Sequence, residues 1–152
     1  MVNTSSQILR FAKGFTIENL EHPKTFRKVV GPYAASKLAL SLWTQAMAPQ
    51  LAKEGIKIRS VDPGLNNTLK KGKDSGMPAW FELLFRVLSS PPTHGADQLY
   101  DAALGKHRDK SGVFLLKGRV SELKFAEHAQ RVLDRISDIY SREFLGGSVL
   151  HN

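Results

Sequence analysis

Apolar and polar positions fall into distinct periods along the chain, and those periods predict its elements. Residues 1 to 5 open with a short strand-like run. Residues 7 to 31 are mixed and polar, carry Gly14, Pro23 and Gly31, and hold no sustained period. They read as a long loop with room for one short helix. From 32 to 53, Leu38, Leu42, Ala46 and Leu51 recur at near-helical spacing. Pro32 suits a first helical turn, and Gly55 follows as a stop signal. Ile56, Ile58 and Val61 then alternate with basic or polar residues, which predicts a strand bounded by Gly55 and Pro63.

Beyond a loop over 65 to 76, rich in Asn, Lys and Gly, Met77 to Leu88 is very apolar and predicts a short helix. Ser90-Pro91-Pro92 starts another, with Ser90 as N-cap and Pro91 in the first position, running to about Leu104. Gly112 to Leu116 reads as a buried strand. Leu123, Ala126, Val132, Leu133, Ile136, Ile139, Tyr140 and Phe144 outline an amphipathic helix over 122 to 144, ended by Gly146-Gly147. Strands alternating with helices imply an α/β chain with a parallel sheet and right-handed crossovers. About three strands with flanking helices are expected in one domain over 1–152, where a doubly wound domain has six or more.

Composition narrows the picture without naming a chemistry. Hydrophobic content of 41% and charged content of 24% suit an ordinary globular chain. The absence of cysteine removes disulfides, thiolate nucleophiles and thiolate-bound metals, and fits a reducing, cytoplasmic setting. No run approaches the roughly 20 apolar residues of a spanning helix. The formal charge of +8 raises an anionic partner. The densest cluster, Lys70-Lys71-Gly72-Lys73, has no interleaved aromatics, so scattered surface cations are expected and nucleic acid is not. The five histidines hold no pair four residues apart, so no metal site is expected. No G-x-S-x-G nucleophile elbow occurs. Asp62, just before Pro63-Gly64, is expected to cap that turn.

Tyr33-Ala34-Ala35-Ser36-Lys37 carries the sharpest chemistry. A phenol is a poor acid at neutral pH, and a cation beside it favours the phenolate. Positions i and i+4 share a helix face, so this spacing can make a phenol a proton donor and acceptor. The spacing alone is common, but its neighbours sharpen it. Val2-Asn3-Thr4-Ser5-Ser6 precedes it, and Ile56 to Thr68 follows, with Pro63-Gly64 and Thr68.

This ordered series resembles the C-terminal half of the short-chain dehydrogenase/reductases, over essentially the whole chain but more weakly after about Leu104. The resemblance implies hydride transfer between NAD or NADP and a small alcohol or carbonyl. It implies Ser6 as catalytic serine, with Ser5 a neighbour without that role, and Tyr33 as general acid/base. Lys37 would assist Tyr33 and hold the nicotinamide ribose, while Pro63, Gly64 and Thr68 would line the nicotinamide. The long stretch from Ser6 to Tyr33 is similar to the retinol-dehydrogenase and carbonyl-reductase branches. The helix at 32–53 would serve a homodimer. Residues 78 to 88 fall in the family's substrate-loop region, either as a lid or packed on the core.

The family's Gly-rich T-G-x-x-x-G-x-G turn, which sets a pyrophosphate against a helix N-terminus, is absent from the sequence. The chain is therefore expected to correspond to the catalytic half, without the dinucleotide-binding half, and to bind cofactor poorly alone. The alternative is a non-catalytic, dimerising module that has lost cofactor binding.

Overall fold

A computed structural model describes residues 1–12, 14–21, 31–66 and 89–145. The expected helix at 78–88, the Lys70–Lys73 cluster, Thr68 and Gly146-Gly147 lie outside these residues. The elements are β1 (Val2–Thr4), α1 (Pro32–Lys53), β2 (Arg59–Val61), α2 (Pro92–Leu104), β3 (Val113–Leu116), β4 (Arg119–Ser121) and α3 (Ala129–Tyr140). Single turns of 3-10 helix occupy Gln7–Phe11, Glu18–Leu20 and Ala126–His128.

The sheet runs β1-β2-β3-β4. The first three strands are parallel, aligning Asn3 with Ser60 and Ser60 with Phe114. The architecture is α/β, an incomplete Rossmann-like sheet with flanking helices, as expected. The fourth strand is an addition to the expected three. It returns antiparallel to β3 through Lys117-Gly118, where both residues take positive φ, 49° and 65°. That is the backbone of a two-residue hairpin turn.

Side chains alternate across a strand, and this separates two faces. Asn3, Ser60 and Phe114 form one row, covered by α1. The core there gathers Leu9, Phe15, Leu38, Leu42, Phe114 and Val132. α1 is sheathed on more than one side, since α3 also packs along it. On the opposite face, Val61 and Leu115 meet Ala102 of α2, with Val2, Leu99 and Val113 at the margin.

Two local expectations need correction. Ser90 does not cap α2; Pro91 holds that position, and Ser90 N–H donates to the Leu65 carbonyl at 2.8 Å while bridging beside Asn66. The backbone is still extended there. The helix expected over 122 to 144 begins at Ala129, because Phe125 takes a left-handed φ of 61° just before it. It widens into a π-turn over Ser141–Leu145. Arg59, in the middle of the sheet, is only 2% exposed. α2 covers that face, so the guanidinium finds partners within the protein.

Glu21 ties the polar N-terminal stretch to the C-terminal helix. Arg135 and Arg142 both bond its carboxylate, Arg142 at 2.6 Å. The Arg142 hydrogen bond, with both guanidinium charges, holds the Glu21 carboxyl below its usual range against partial burial.

Candidate active site at the carboxyl ends of the parallel strands

In open α/β sheets, ligands bind beyond the carboxyl ends of the strands. Ser5 and Ser6 follow β1, and Asp62, Pro63 and Gly64 follow β2 beside it. The two strand ends are stitched together. Ser5 N–H donates to the Val61 carbonyl at 2.7 Å, and Gln7 N–H donates to Asp62 Oδ1 at 3.1 Å. Asp62 is thus a buried acceptor for the segment after β1, a correction to its expected role of capping its own turn. Asn66 performs that role: its Nδ2 donates to the Pro63 and Gly64 carbonyls, each at 3.1 Å.

Gly64 has φ of 81°, the left-handed region a P-G turn demands at its second central residue. A side chain there would be strained, although the space is open; the nearest atom to an added Cβ is His94 Cδ2, 3.9 Å away. A cleft of about 460 Å³ begins at this point, lined by Gln7, Asp62, Gly64, Ser90, His94 and Lys117, among others.

The first turn of α1 brings Tyr33 and Lys37 onto one side. Lys37 Nζ lies 5.8 Å from the Tyr33 ring centroid. The ring is 49% exposed. Nζ also donates to the Thr4 carbonyl at 3.1 Å. The Met1 carbonyl and Ser5 N–H both bond β2, so backbone alternation turns the Thr4 carbonyl outward, to the sheet's open edge. Lys37 therefore sits over the end of β1, two residues before Ser6.

The two serines behave differently. Ser5 is 2% exposed and bonded into α1. Ser6 is partly exposed, and its hydroxyl accepts from Ile8 N–H at 3.3 Å, capping the turn at Gln7–Phe11. The structure thus places Ser6, Pro63 and Gly64 just past the carboxyl ends of β1 and β2, and Tyr33 and Lys37 on the first turns of α1, with Lys37 reaching the end of β1. Thr68 lies outside the described residues.

Sequence reading passed over a polar contact beneath these residues. Ser5 Oγ donates to the Lys37 carbonyl at 3.2 Å and lies 2.8 Å from Ser41 Oγ. One strand position back, Asn3 Nδ2 donates to Thr44 Oγ1 at 2.9 Å, and Thr44 donates to the Leu40 carbonyl at 2.7 Å. Ser41 and Thr44 looked like neutral interior residues of a helix, and only the resemblance of the strand end to a catalytic motif hinted at their partners. Arg59 was missed as well. Its NH1 and NH2 donate to the Ala102 and Arg108 carbonyls, both at 2.7 Å, binding the end of α2 to β2. Burial lowers the Arg59 pKa from its ordinary value.

Among the described residues, no cluster of His, Cys, Asp or Glu could hold a metal, and no helix is long and apolar enough to cross a membrane.

The short chain dehydrogenase family profile matches residues 24–76. That stretch is about a third of the chain and holds Tyr33, Lys37, Pro63, Gly64 and Thr68, while Ser6 precedes it. Over that stretch the chain is similar to the short-chain dehydrogenases. No curated protein and no solved structure matches the chain.

Proposed function

We propose that the chain supplies the acid/base and nicotinamide-facing part of an NAD(P)-dependent oxidoreductase that interconverts an alcohol and a carbonyl. One observation carries this reading. Tyr33 stands exposed on the same side of α1 as Lys37, and the lysine ammonium is anchored to the end of β1 just before Ser6. The residues fit the nicotinamide end of a dinucleotide, because the space over Gly64 is open and borders a cleft. They offer nothing for the pyrophosphate end, since the sequence has no T-G-x-x-x-G-x-G turn.

Tyr33, Lys37, Pro63, Gly64 and Thr68 would hold NAD or NADP, which when bound supplies the hydride chemistry. Tyr33 passes the proton at its phenolic oxygen. The Ser6 hydroxyl hydrogen-bonds the substrate oxygen and fixes it toward Tyr33. Lys37 places its ammonium 5.8 Å from the Tyr33 ring centroid and would hold the nicotinamide ribose. The long stretch from Ser6 to Tyr33 favours the retinol-dehydrogenase or carbonyl-reductase branch. The chain acts as the catalytic half of a longer enzyme. A second reading, a dimerising module without catalysis, draws on the missing pyrophosphate turn and on half-buried Leu40, Met47 and Leu51 along α1.

Calorimetric titration of the 152-residue chain with NADH and NADPH should show weak binding or none; a micromolar Kd would overturn the half-enzyme reading. Joined to upstream coding sequence carrying the Gly-rich turn, the protein should turn over a carbonyl substrate. Tyr33→Phe should then lower kcat about a hundredfold or more while cofactor still binds. Unchanged turnover in that variant would remove Tyr33 from the chemistry.

A further inference from the structure

We infer that Ser41, acting through Ser5, is a positioning residue that sets the reach of Lys37 over the end of β1. The inference rests on the oxidoreductase reading for its catalytic meaning, but its geometry stands apart from that reading.

The face of the sheet under α1 is apolar at β3, where Phe114 sits, and polar toward β1. Asn3 and Ser5 point to this face from β1, and Ser60 shares it from β2. From above, α1 presents Lys37, Ser41 and Thr44, spaced three and four residues apart on one side of the helix. Ser5, Ser41 and Thr44 are each 2% exposed or less and bonded, while the equally buried Ser60 hydroxyl has no hydrogen-bond partner among the described residues. Buried hydroxyls at the meeting of a helix and a strand cost stability unless they are bonded, and they contribute direction when they are.

Direction is what apolar packing at this contact would lack. Leucines in the same places would let α1 slide or turn on β1 at little cost, because dispersion is not directional. Ser5 carries a single hydroxyl hydrogen. With that hydrogen given to the Lys37 carbonyl, the Ser41 hydroxyl must be the donor of the Ser41–Ser5 bond. The donors then run in one sense, from Ser41 to Ser5 to the backbone of Lys37. The chain fixes the height of residue 37 along β1, and the Lys37 ammonium reaches the Thr4 carbonyl from that height. The Asn3–Thr44 bond makes a comparable clamp one helical turn further on, away from Tyr33 and Lys37. It holds the helix without touching residue 37.

The test compares these two clamps in the full chain. Lysines would be acylated slowly with an amine-reactive reagent and quantified by mass spectrometry. Lys124, whose Nζ also donates to a backbone carbonyl, that of Arg10, serves as internal reference. Ser41→Ala should raise Lys37 labelling about fivefold, the loss of roughly one hydrogen bond's hold, and leave Lys124 unchanged. Thr44→Val should lower Tm to a similar extent without moving Lys37. Should Ser41→Ala fail to fold, Ser41→Cys carries the comparison, because it fills the volume but donates weakly. Lys37 labelling unchanged in the Ser41 variants, or raised equally by Thr44→Val, overturns the inference. In a parent enzyme that turns over, Ser41→Ala should lower kcat about tenfold with KM little changed. Loss of all turnover in the wild type would sink the oxidoreductase reading and leave the labelling result standing.

Discussion

The two faces of the sheet are held by different means. Among the described residues, the larger apolar core lies under α1, with Leu9, Phe15, Leu38, Leu42, Phe114 and Val132, and bonded hydroxyls where the helix meets β1. Under α2 the apolar cluster is small, Val61, Ala102 and Leu115, and a buried guanidinium does what side-chain packing does elsewhere. The helix that carries the candidate chemistry is therefore fixed by bulk and then aimed by a few hydrogen bonds. Among the described residues, the other helix is held by a small apolar contact and by Arg59 bonds at and just beyond its carboxyl end. Volume changes should hurt the first face most, and loss of donors the second.

Leu42→Ala sets the scale on the α1 face. Leu42 is fully buried, and its truncation should cost about 3 kcal/mol, lowering Tm by about 9 °C in thermal unfolding. On the α2 face, Arg59→Met keeps volume but abandons two carbonyls, and should cost about 2 kcal/mol. Arg59→Lys should not restore it, since one ammonium cannot span both acceptors as a fork does. If Arg59→Met is as stable as the wild type, the contrast between the faces fails. Gly95→Ala sharpens the comparison at the cleft. A Cβ there would run into the Asn66 side chain, which holds the Pro63-Gly64 turn. A cost of about 1 kcal/mol is expected, with chemical-shift changes at Gly64. Unmoved Gly64 resonances would detach the turn from α2.

The smallest effect belongs to the Glu21 clasp. Its carboxyl titrates lower in the folded chain than in the unfolded one, so the unfolded chain binds the proton first. The clasp's stabilisation is present above the usual carboxylate range, about 4.3, and fades as pH falls through the lowered folded value. Glu21→Gln should thus lower Tm slightly at pH 7 and not at all at the acidic end. A difference that grows on acidification would contradict this.

Much of this was legible in the sequence because period and punctuation agreed. α1 followed from Leu38, Leu42 and its Pro32 start, and the parallel strands from the alternation ending at Pro63. β4 stayed hidden because it has one apolar residue, Val120, and its turn is Lys117-Gly118 rather than the commoner Asn-Gly. Arg59 was passed over because a basic residue in an alternating strand gives no sign that a helix will cover it. Ser41 and Thr44 were passed over because a hydroxyl in a helix can bond its own backbone, as Thr44 does with Leu40, and shows no preference for a strand. For the candidate site, Tyr33, Lys37, Pro63 and Gly64 were readable from spacing and resemblance. The contacts that hold them, among residues distant in sequence, were not.

The outward carbonyl of Thr4 has a further meaning for how this molecule meets others. A bare strand border invites another polypeptide to zip alongside, and a lysine stationed on it is a common deterrent. Here the deterrent is the same ammonium proposed to serve the reaction. A strand docking beside β1 would meet this ammonium at the Thr4 carbonyl, so pairing at that border and proton transfer at Tyr33 would share a single cation.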